Sequence, residues 1–208
     1  MDSVQEQDAG WRGSPDLWLG AAYDALIENG VDAVKIQPLA ARLRLSRTSF
    51  YWFFKDRAAL LDALAGLWAE RTTAPLVAAS HAFAATETEA MLNLIGCFLS
   101  ERFDARLEFA ARSWALSDGA MMVRLQEADA ARLSAIESLL MRWGHDPKDA
   151  DVRARTVYLV QIGYISMQTR ESLTTRLERI PHYVEIYTGR RPDAAELARF
   201  RAGLEEAS

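Results

Sequence analysis

A single cysteine in 208 residues excludes an intrachain disulfide and any cysteine-cluster metal site. Histidine is scarce as well: His81, His145 and His182 stand far apart and fall in no metal or nucleophile motif. No phosphate-cradling glycine loop or HExxH-type helix accompanies them, so no metal, cofactor or catalytic residue is expected and the chain does not read as an enzyme. The most apolar run, 91–99, is about half the ~20 residues that a membrane span needs. The opening MDSVQEQDAGWRG is acidic and has no apolar core, so no signal peptide is expected and a cytoplasmic location follows. Period-two alternation, internal repeats and low-complexity tracts are all missing, which argues against strands and solenoids. A basic excess is also lacking. Lys and Arg number 24 against 29 acids, a net charge of −5, which excludes wholesale coating of nucleic acid.

What is present is half hydrophobic and a quarter charged, the balance of a soluble globular protein long enough for one large domain or two small ones. Ser14-Pro15-Asp16 reads as a helix start, with Ser as N-cap and Pro at the first helical position. Leu17, Trp18, Ala21, Ala22, Ala25 and Leu26 recur at helical spacing, and Asn29-Gly30 closes the helix with a glycine suited to a left-handed cap. A second helix starts near 36–38, because Pro38 is tolerated only in a first turn. A third runs from Arg47, capped by Ser46, to about Phe54. Asp56 caps a fourth, which opens on Ala58, Leu60, Leu61 and Leu64. Beyond Thr72-Thr73-Ala74-Pro75, longer amphipathic patterns follow at 86–115, 119–143, 148–170, 174–188 and 193–206. Breakers containing Gly119, Gly144-His145-Asp146-Pro147, Gly189 and Pro192 separate them, and Thr86 with Glu89 reads as a capping box. The expected fold is all-α. It has a tail at 1–13, a three-helix N-terminal domain at 14–57, and a linking helix with a C-terminal helical bundle at 58–208.

The most informative stretch is 39–57, LAARLRLSRTSFYWFFKDR, where two short helical patterns meet at a tight turn. That is the pattern of a helix-turn-helix whose second helix enters a DNA groove. From 35 to 57 the basic residues are Lys35, Arg42, Arg44, Arg47, Lys55 and Arg57, against one acid, Asp56. An acidic body with this patch would be repelled by DNA everywhere else. At 100° per residue, Phe50 and Phe54 fall together as anchors on Leu17, Leu26, Leu39 and Leu43. The far side collects Thr48, Ser49, Tyr51 and Trp52, with Arg47 and Phe53 at its margins. Hydroxyls at a helix N-terminus suit phosphate oxygens. Arg47 can pair with guanine, Thr48 and Trp52 can touch thymine methyls, and Lys55 and Arg57 lie where the adjoining DNA backbone would run. The competing reading is a helical hairpin with a solvated basic face, under which Trp52 goes unexplained.

Residues 15–64 resemble the N-terminal domain of TetR/AcrR-family transcriptional regulators, through Leu39-Ala40, Leu43, Leu45-Ser46, Tyr51, Phe54-Lys55, Arg57 and Leu60-Leu61. The resemblance implies a helix-turn-helix domain, a linking helix, and a helical domain for ligand binding and dimerisation. It implies phosphate contacts from Ser49, Tyr51 and Lys55, and base reading by Arg47, Thr48 and Trp52. Where the family commonly has a turn glycine, a Ser/Thr cap on the second helix and a histidine before the Phe, this chain has Arg44, Lys35 and Phe53. Lys35 can instead reach phosphate and Arg44 joins the basic patch. A left-handed backbone at Arg44 would cost about 1 kcal/mol.

Farther on, Arg112-Ser113-Trp114-Ala115, Asp129, Arg132 and Arg153-Ala154-Arg155 resemble one common branch of that family. The resemblance implies a homodimer through the helices at 148–170 and 174–188, where Leu159, Ile162, Gly163, Ser166 and Met167 make a stripe of small and flexible residues. Two reading helices must enter successive major grooves about 34–36 Å apart, which also requires a dimer on a palindromic double-stranded operator. A cavity for an unknown small-molecule effector is expected among Phe98, Phe103, Trp114, Met121, Met122, Tyr158, Gln161 and Tyr164, with Arg112 able to hold a carboxylate. For any single one of these side chains plain core is the favoured reading, and Cys97 reads as a small core residue rather than a redox sensor. The expected function is a ligand-responsive regulator, a repressor released from its operator by the effector. The alternative is a dimeric helical protein-interaction module without sequence-specific DNA binding.

Overall fold

The computed structural model describes residues 13–205. The tail expected at 1–13, Gly13 apart, and a possible minor-groove arm at Trp11 and Arg12 lie outside them. The fold is all-α, without a strand among the described residues. Its helices are α1 (Pro15–Asn29), α2 (Ile36–Leu43), α3 (Arg47–Phe50), α4 (Arg57–Trp68), α5 (Ala74–His81), α6 (Glu87–Leu99), α7 (Ala105–Ala115), α8 (Gly119–Arg142), α9 (Pro147–Ser166), α10 (Leu173–Thr188) and α11 (Ala194–Glu205). The chain divides into two compact units between Ala65 and Gly66, within α4.

In the N-terminal unit, Ser14 caps α1 by accepting the Leu17 N–H at 3.2 Å. Gly30 ends it at φ 78°, ψ 176°, an extended positive-φ conformation rather than the expected left-handed helical one. Only glycine adopts that conformation cheaply. The core holds Trp18, Ala22, Leu26, Val34, Leu39, Phe50, Leu60 and Leu64, all essentially buried.

Arg44 follows α2 at φ 54°, ψ 36°, in the left-handed region. Leu45 N–H reaches the Ala40 carbonyl at 2.9 Å and Arg44 N–H the Ala41 carbonyl at 3.2 Å, which is the Schellman pattern. The turn geometry is therefore kept although glycine is not, and the steric cost falls on Arg44. Arg44→Gly should stabilise the N-terminal unit by about 0.5–1 kcal/mol, read as a raised urea midpoint at unchanged slope.

In the C-terminal unit, the change of sequence character beyond Thr72-Thr73-Ala74-Pro75 comes without a break. The backbone stays helical from α4 to α5 through one π-helical stretch, Ala69–Thr73. Proline leaves the Arg71 carbonyl without its usual donor, and the Asp104 N–H fills that place at 3.1 Å. The pattern read as one helix at 86–115 is two. Ser100 ends α6 and Asp104 caps α7 by accepting the Leu107 N–H at 2.9 Å. The core of this unit packs α5, α6, α8, α9 and α10 around Leu76, Met91, Leu94, Ile136, Leu140, Val157 and Val184. Cys97 belongs to it, and burial pushes its thiol up to about 11. Asp193 and Glu196 cap α11 reciprocally, and Glu196 also accepts the Thr86 and Thr88 hydroxyls at the start of α6.

His145, expected only as a turn residue, is a clamp. Its Nε2 lies 2.5 Å from Glu87 Oε1 and its Nδ1 2.6 Å from Asp149 Oδ2. Arg153 in turn holds Asp149 at 2.7 Å and reaches the Ile186 and Tyr187 carbonyls near the end of α10. Two carboxylates on one ring require both nitrogens to donate, hence the imidazolium. Burial works against that charge, but Glu87 and Asp149 outweigh it and hold the pKa above the ordinary value. A pKa raised by folding gives stability that is complete below the unfolded value of about 6.5 and is lost as pH rises through the folded value. Stability should therefore decline from pH 6 upward across the folded pKa. His145→Gln should flatten the decline, with thermal melts at stepped pH as the measurement.

Candidate nucleic-acid interface

Ser46 positions the reading segment. Its hydroxyl accepts the Ser49 N–H at 3.2 Å and starts α3. The helix lasts only to Phe50 and the chain then passes through a turn at 51–53, shorter than the helix expected to Phe54. Phe50 has no solvent exposure and meets Trp18 edge-on at 5.2 Å; Phe54 stacks on it at 5.5 Å. This anchoring turns Arg47, Thr48, Tyr51 and Trp52 outward. Tyr51 is 48% exposed and Trp52 64%, large apolar area for a free surface. Lys35, Arg44 and Lys55 are exposed in the same unit.

Two expected phosphate contacts need correction. Ser49 is buried and its hydroxyl donates to the Ser46 carbonyl at 2.7 Å, so it has no proton for DNA. The side chain three residues past the cap folds back on the capping residue's carbonyl, a local side chain-to-backbone bond of the kind serine makes within a helix turn. Arg57 spends its guanidinium on the Val34 and Val31 carbonyls at 2.6 and 2.8 Å and staples the 3₁₀ turn before α2 to the start of α4. Arg42, counted in the basic patch, pairs with Asp24 at 3.1 Å and Glu28 at 2.9 Å on α1. The exposed cations left are Lys35, Arg44, Arg47 and Lys55. No sequence signal separated Arg57 from them, since its partners are backbone carbonyls.

The side chains expected around an effector are divided in the C-terminal unit. Phe98 and Phe103 touch at 4.8 Å between ring centres. Phe98, Phe103, Trp114, Met121, Tyr158 and Gln161 are buried, and Met122 and Tyr164 half-buried. Trp114 donates to Asp118 at 3.1 Å. Arg112 is not available to hold an effector carboxylate. It donates to Glu108 at 2.8 Å, to both Asp129 oxygens at 2.5 and 3.2 Å, and to the Tyr158 hydroxyl at 3.0 Å. Internal acids satisfy it because they sit one helical turn away on α7 and opposite on α8. A cavity of about 420 Å³ does exist, but none of the expected residues lines it. It opens between α6 and α11, beside Leu92, Gly96, Arg102 and Phe200.

The N-terminal unit is thus a helix-turn-helix domain with an exposed aromatic and cationic face, followed by a separate helical unit. Residues 19–64 match the model of the family described as "Bacterial regulatory proteins, tetR family". The tetracycline repressor protein class A from transposon 1721 of Escherichia coli is 45% identical over 51 residues, 24% of each chain. The class G repressor of Vibrio anguillarum is 32% identical over 95 residues, 45% of each. The chain spans less than half the length of these curated relatives. A putative TetR-family regulator from Rhodococcus sp. shares the fold at TM-score 0.62 and 16% identity, over 84% of this chain and 98% of that one. Another, from Mesorhizobium loti, does so at 0.59 and 17%, over 91% and 95%. Over residues 19–64 the chain carries the DNA-binding domain type of the TetR family of bacterial regulatory proteins, and its overall fold is that of the two regulators above.

Proposed function

We propose that the chain is a ligand-responsive transcriptional repressor, cytoplasmic, that binds a palindromic DNA operator as a homodimer and is released by a small-molecule effector. The observation that carries this reading is the outward face of Arg47, Thr48, Tyr51, Trp52 and Lys55 around a buried Phe50 anchor. Backbone donors and cations there suit phosphates, and Arg47 and Trp52 suit base edges. Tyr51 and Lys55 hold phosphate, with Lys35 and Arg44 as flanking cations. A second copy would seat on α9 and α10, where Val152, Leu159, Met167 and Ile186 are more than half exposed. On α9, Val152, Leu159, Gly163 and Ser166 recur at alternating helical spacing, one stripe open to a partner helix. Ile162 of the expected stripe is buried in the unit's own core instead. Effector binding acts through α4, the helix shared by the two units, and a coupling of about 1–3 kcal/mol is enough to relieve repression. No helix among the described residues is long and apolar enough to cross a membrane.

Selection of bound fragments from a random duplex library, followed by affinity at two salt concentrations, tests the reading. The expected result is a two-fold symmetric motif whose affinity falls steeply with salt. A folded dimer that enriches no motif would overturn it in favour of the protein-interaction module.

A further inference from the structure

With Arg112 spent, the C-terminal unit still holds a cation without a carboxylate. Arg176, on the first turns of α10, is half-buried with its guanidinium 4.6 Å over the Tyr164 ring. Among the described residues it makes no side-chain hydrogen bond or ion pair. Glu171, the acid that bears on it, is held by Arg179 at 2.6 and 2.8 Å. The two arginines and one glutamate leave one positive charge. Burial pulls the Arg176 pKa down, the mark of a charge that lacks full compensation.

The hydroxyls beside it also have a donor to spare. Tyr164 lies 3.4 Å from Arg179 Nη1, which donates to it, and 3.1 Å from the Tyr183 hydroxyl. Once Tyr164 accepts from Arg179 and donates to Tyr183, the Tyr183 proton is left for another acceptor. Tyr183 stacks on Tyr187 at 5.8 Å with an 18° tilt. The Tyr187 hydroxyl is buried and makes no hydrogen bond of ordinary length, the Gln161 amide being the polar neighbour that bears on it. Free donors, one net positive charge and stacked flat rings together call for a flat monoanion.

We propose that Arg176, Tyr164 and Tyr183, backed by Gln161 and Tyr187, bind the carboxylate of a small aromatic acid where α9 and α10 meet. The proposal rests on the regulator reading, since it names the chemical class of that regulator's effector. The guanidinium takes the carboxylate and Tyr183 donates the second hydrogen bond. The Tyr183–Tyr187 stack covers the ring face.

The test uses the full chain with ring-labelled tyrosine. Benzoate is the probe, with benzamide as its neutral isostere and inorganic phosphate as a plain anion. Benzoate at about 10 mM, the range a fragment of this size reaches, should shift the Tyr164, Tyr183 and Tyr187 signals. Benzamide and phosphate should bind about tenfold or more weakly, and Arg176→Gln should lose about tenfold or more in benzoate affinity. Arg176→Lys, which keeps the charge, should retain part of it, which separates lost charge from a disturbed fold. Undisturbed tyrosines, equal binding by Arg176→Gln, or phosphate binding as well as benzoate would each overturn the proposal. The operator selection is run without ligand, so an enriched motif beside silent tyrosines removes this site alone. Arg176-dependent benzoate binding without DNA binding removes the regulator reading alone.

Discussion

Replacing Arg132 by Met should destabilise the C-terminal unit by about 3–5 kcal/mol, the cost of leaving a buried charge without its partner. Arg132 and Glu108 both have no exposed side-chain surface. All five guanidinium N–H groups are used: Nη1 on Glu108 and the Tyr158 hydroxyl at 2.8 and 2.9 Å, Nη2 on Thr72 and Glu108 at 2.8 and 3.0 Å, Nε on Thr73 at 3.0 Å. Glu108 is filled to the same degree, taking two bonds from Arg132, one from Arg112 at 2.8 Å and one from the Trp68 indole at 2.7 Å. The Tyr158 hydroxyl donates to Asp129 at 2.6 Å. The Arg132 guanidinium also lies 5.3 Å over the Trp68 ring. Two arginines and two carboxylates leave the cluster neutral, the condition under which buried charges are tolerated. Arg132→Met leaves Glu108 with Arg112 and Trp68 only, and orphans the Thr73 hydroxyl. A melting temperature about 10 °C lower is expected. Adding Glu108→Gln should recover part of the loss, because the unpaired charge goes with it. A single-variant loss under 1 kcal/mol would mean that water reaches the cluster and its charges are not truly buried.

That cluster shows where sequence reasoning stops. Glu108, Arg112, Asp129 and Arg132 lie at helical spacing within α7 and α8, the spacing of ordinary solvated ion pairs, and only the packing of α7 on α8 puts them inside. The caps were legible, because a Ser, Thr or Asp just before an apolar period carries its own mechanism. Ser14, Ser46 and Thr86, read as caps, each accept a backbone N–H at the start of their helix, and so do Asp118, Asp146 and Ser172, which lie outside the caps read from the sequence. Of these, Ser172 lies in no breaker read from the sequence, since no Gly or Pro accompanies it. The division of 86–115 was missed because apolar spacing continues across it, although Asp104 carried the cap signal. At Pro75 the helix runs on, since a donor 29 residues away, the Asp104 N–H, supplies the bond that proline's ring displaces. At the candidate interface, the outward positions of Arg47, Thr48, Tyr51 and Trp52 followed from placing Phe50 inside. The inward turn of Ser49 did not. A helical wheel assumes a regular helix, and α3 gives way to a turn after one circuit.

Around that short helix, cations and base-reading groups should fail differently on DNA. Lys55→Ala should weaken binding by a similar factor on every duplex and lower the salt slope by about 1, because one phosphate contact and its released counterion are lost. Arg47→Ala should cost about 1–3 kcal/mol at one base-pair position and leave the salt slope of binding to unrelated sequence nearly unchanged. Trp52→Ala should relax preference at a neighbouring position, since a methyl contact, not a charge, is removed. All three side chains are exposed, so melting temperatures should hold within the range of surface substitutions, about ±0.5 kcal/mol. Ser49→Ala is the internal control. Its hydroxyl serves the Ser46 carbonyl, so its loss should appear in stability and not as an altered base preference. Selected libraries from the four variants, read beside their melts, separate these outcomes. An identical loss of preference in Lys55→Ala and Arg47→Ala would mean that the two residues share one role and that the face has been assigned wrongly.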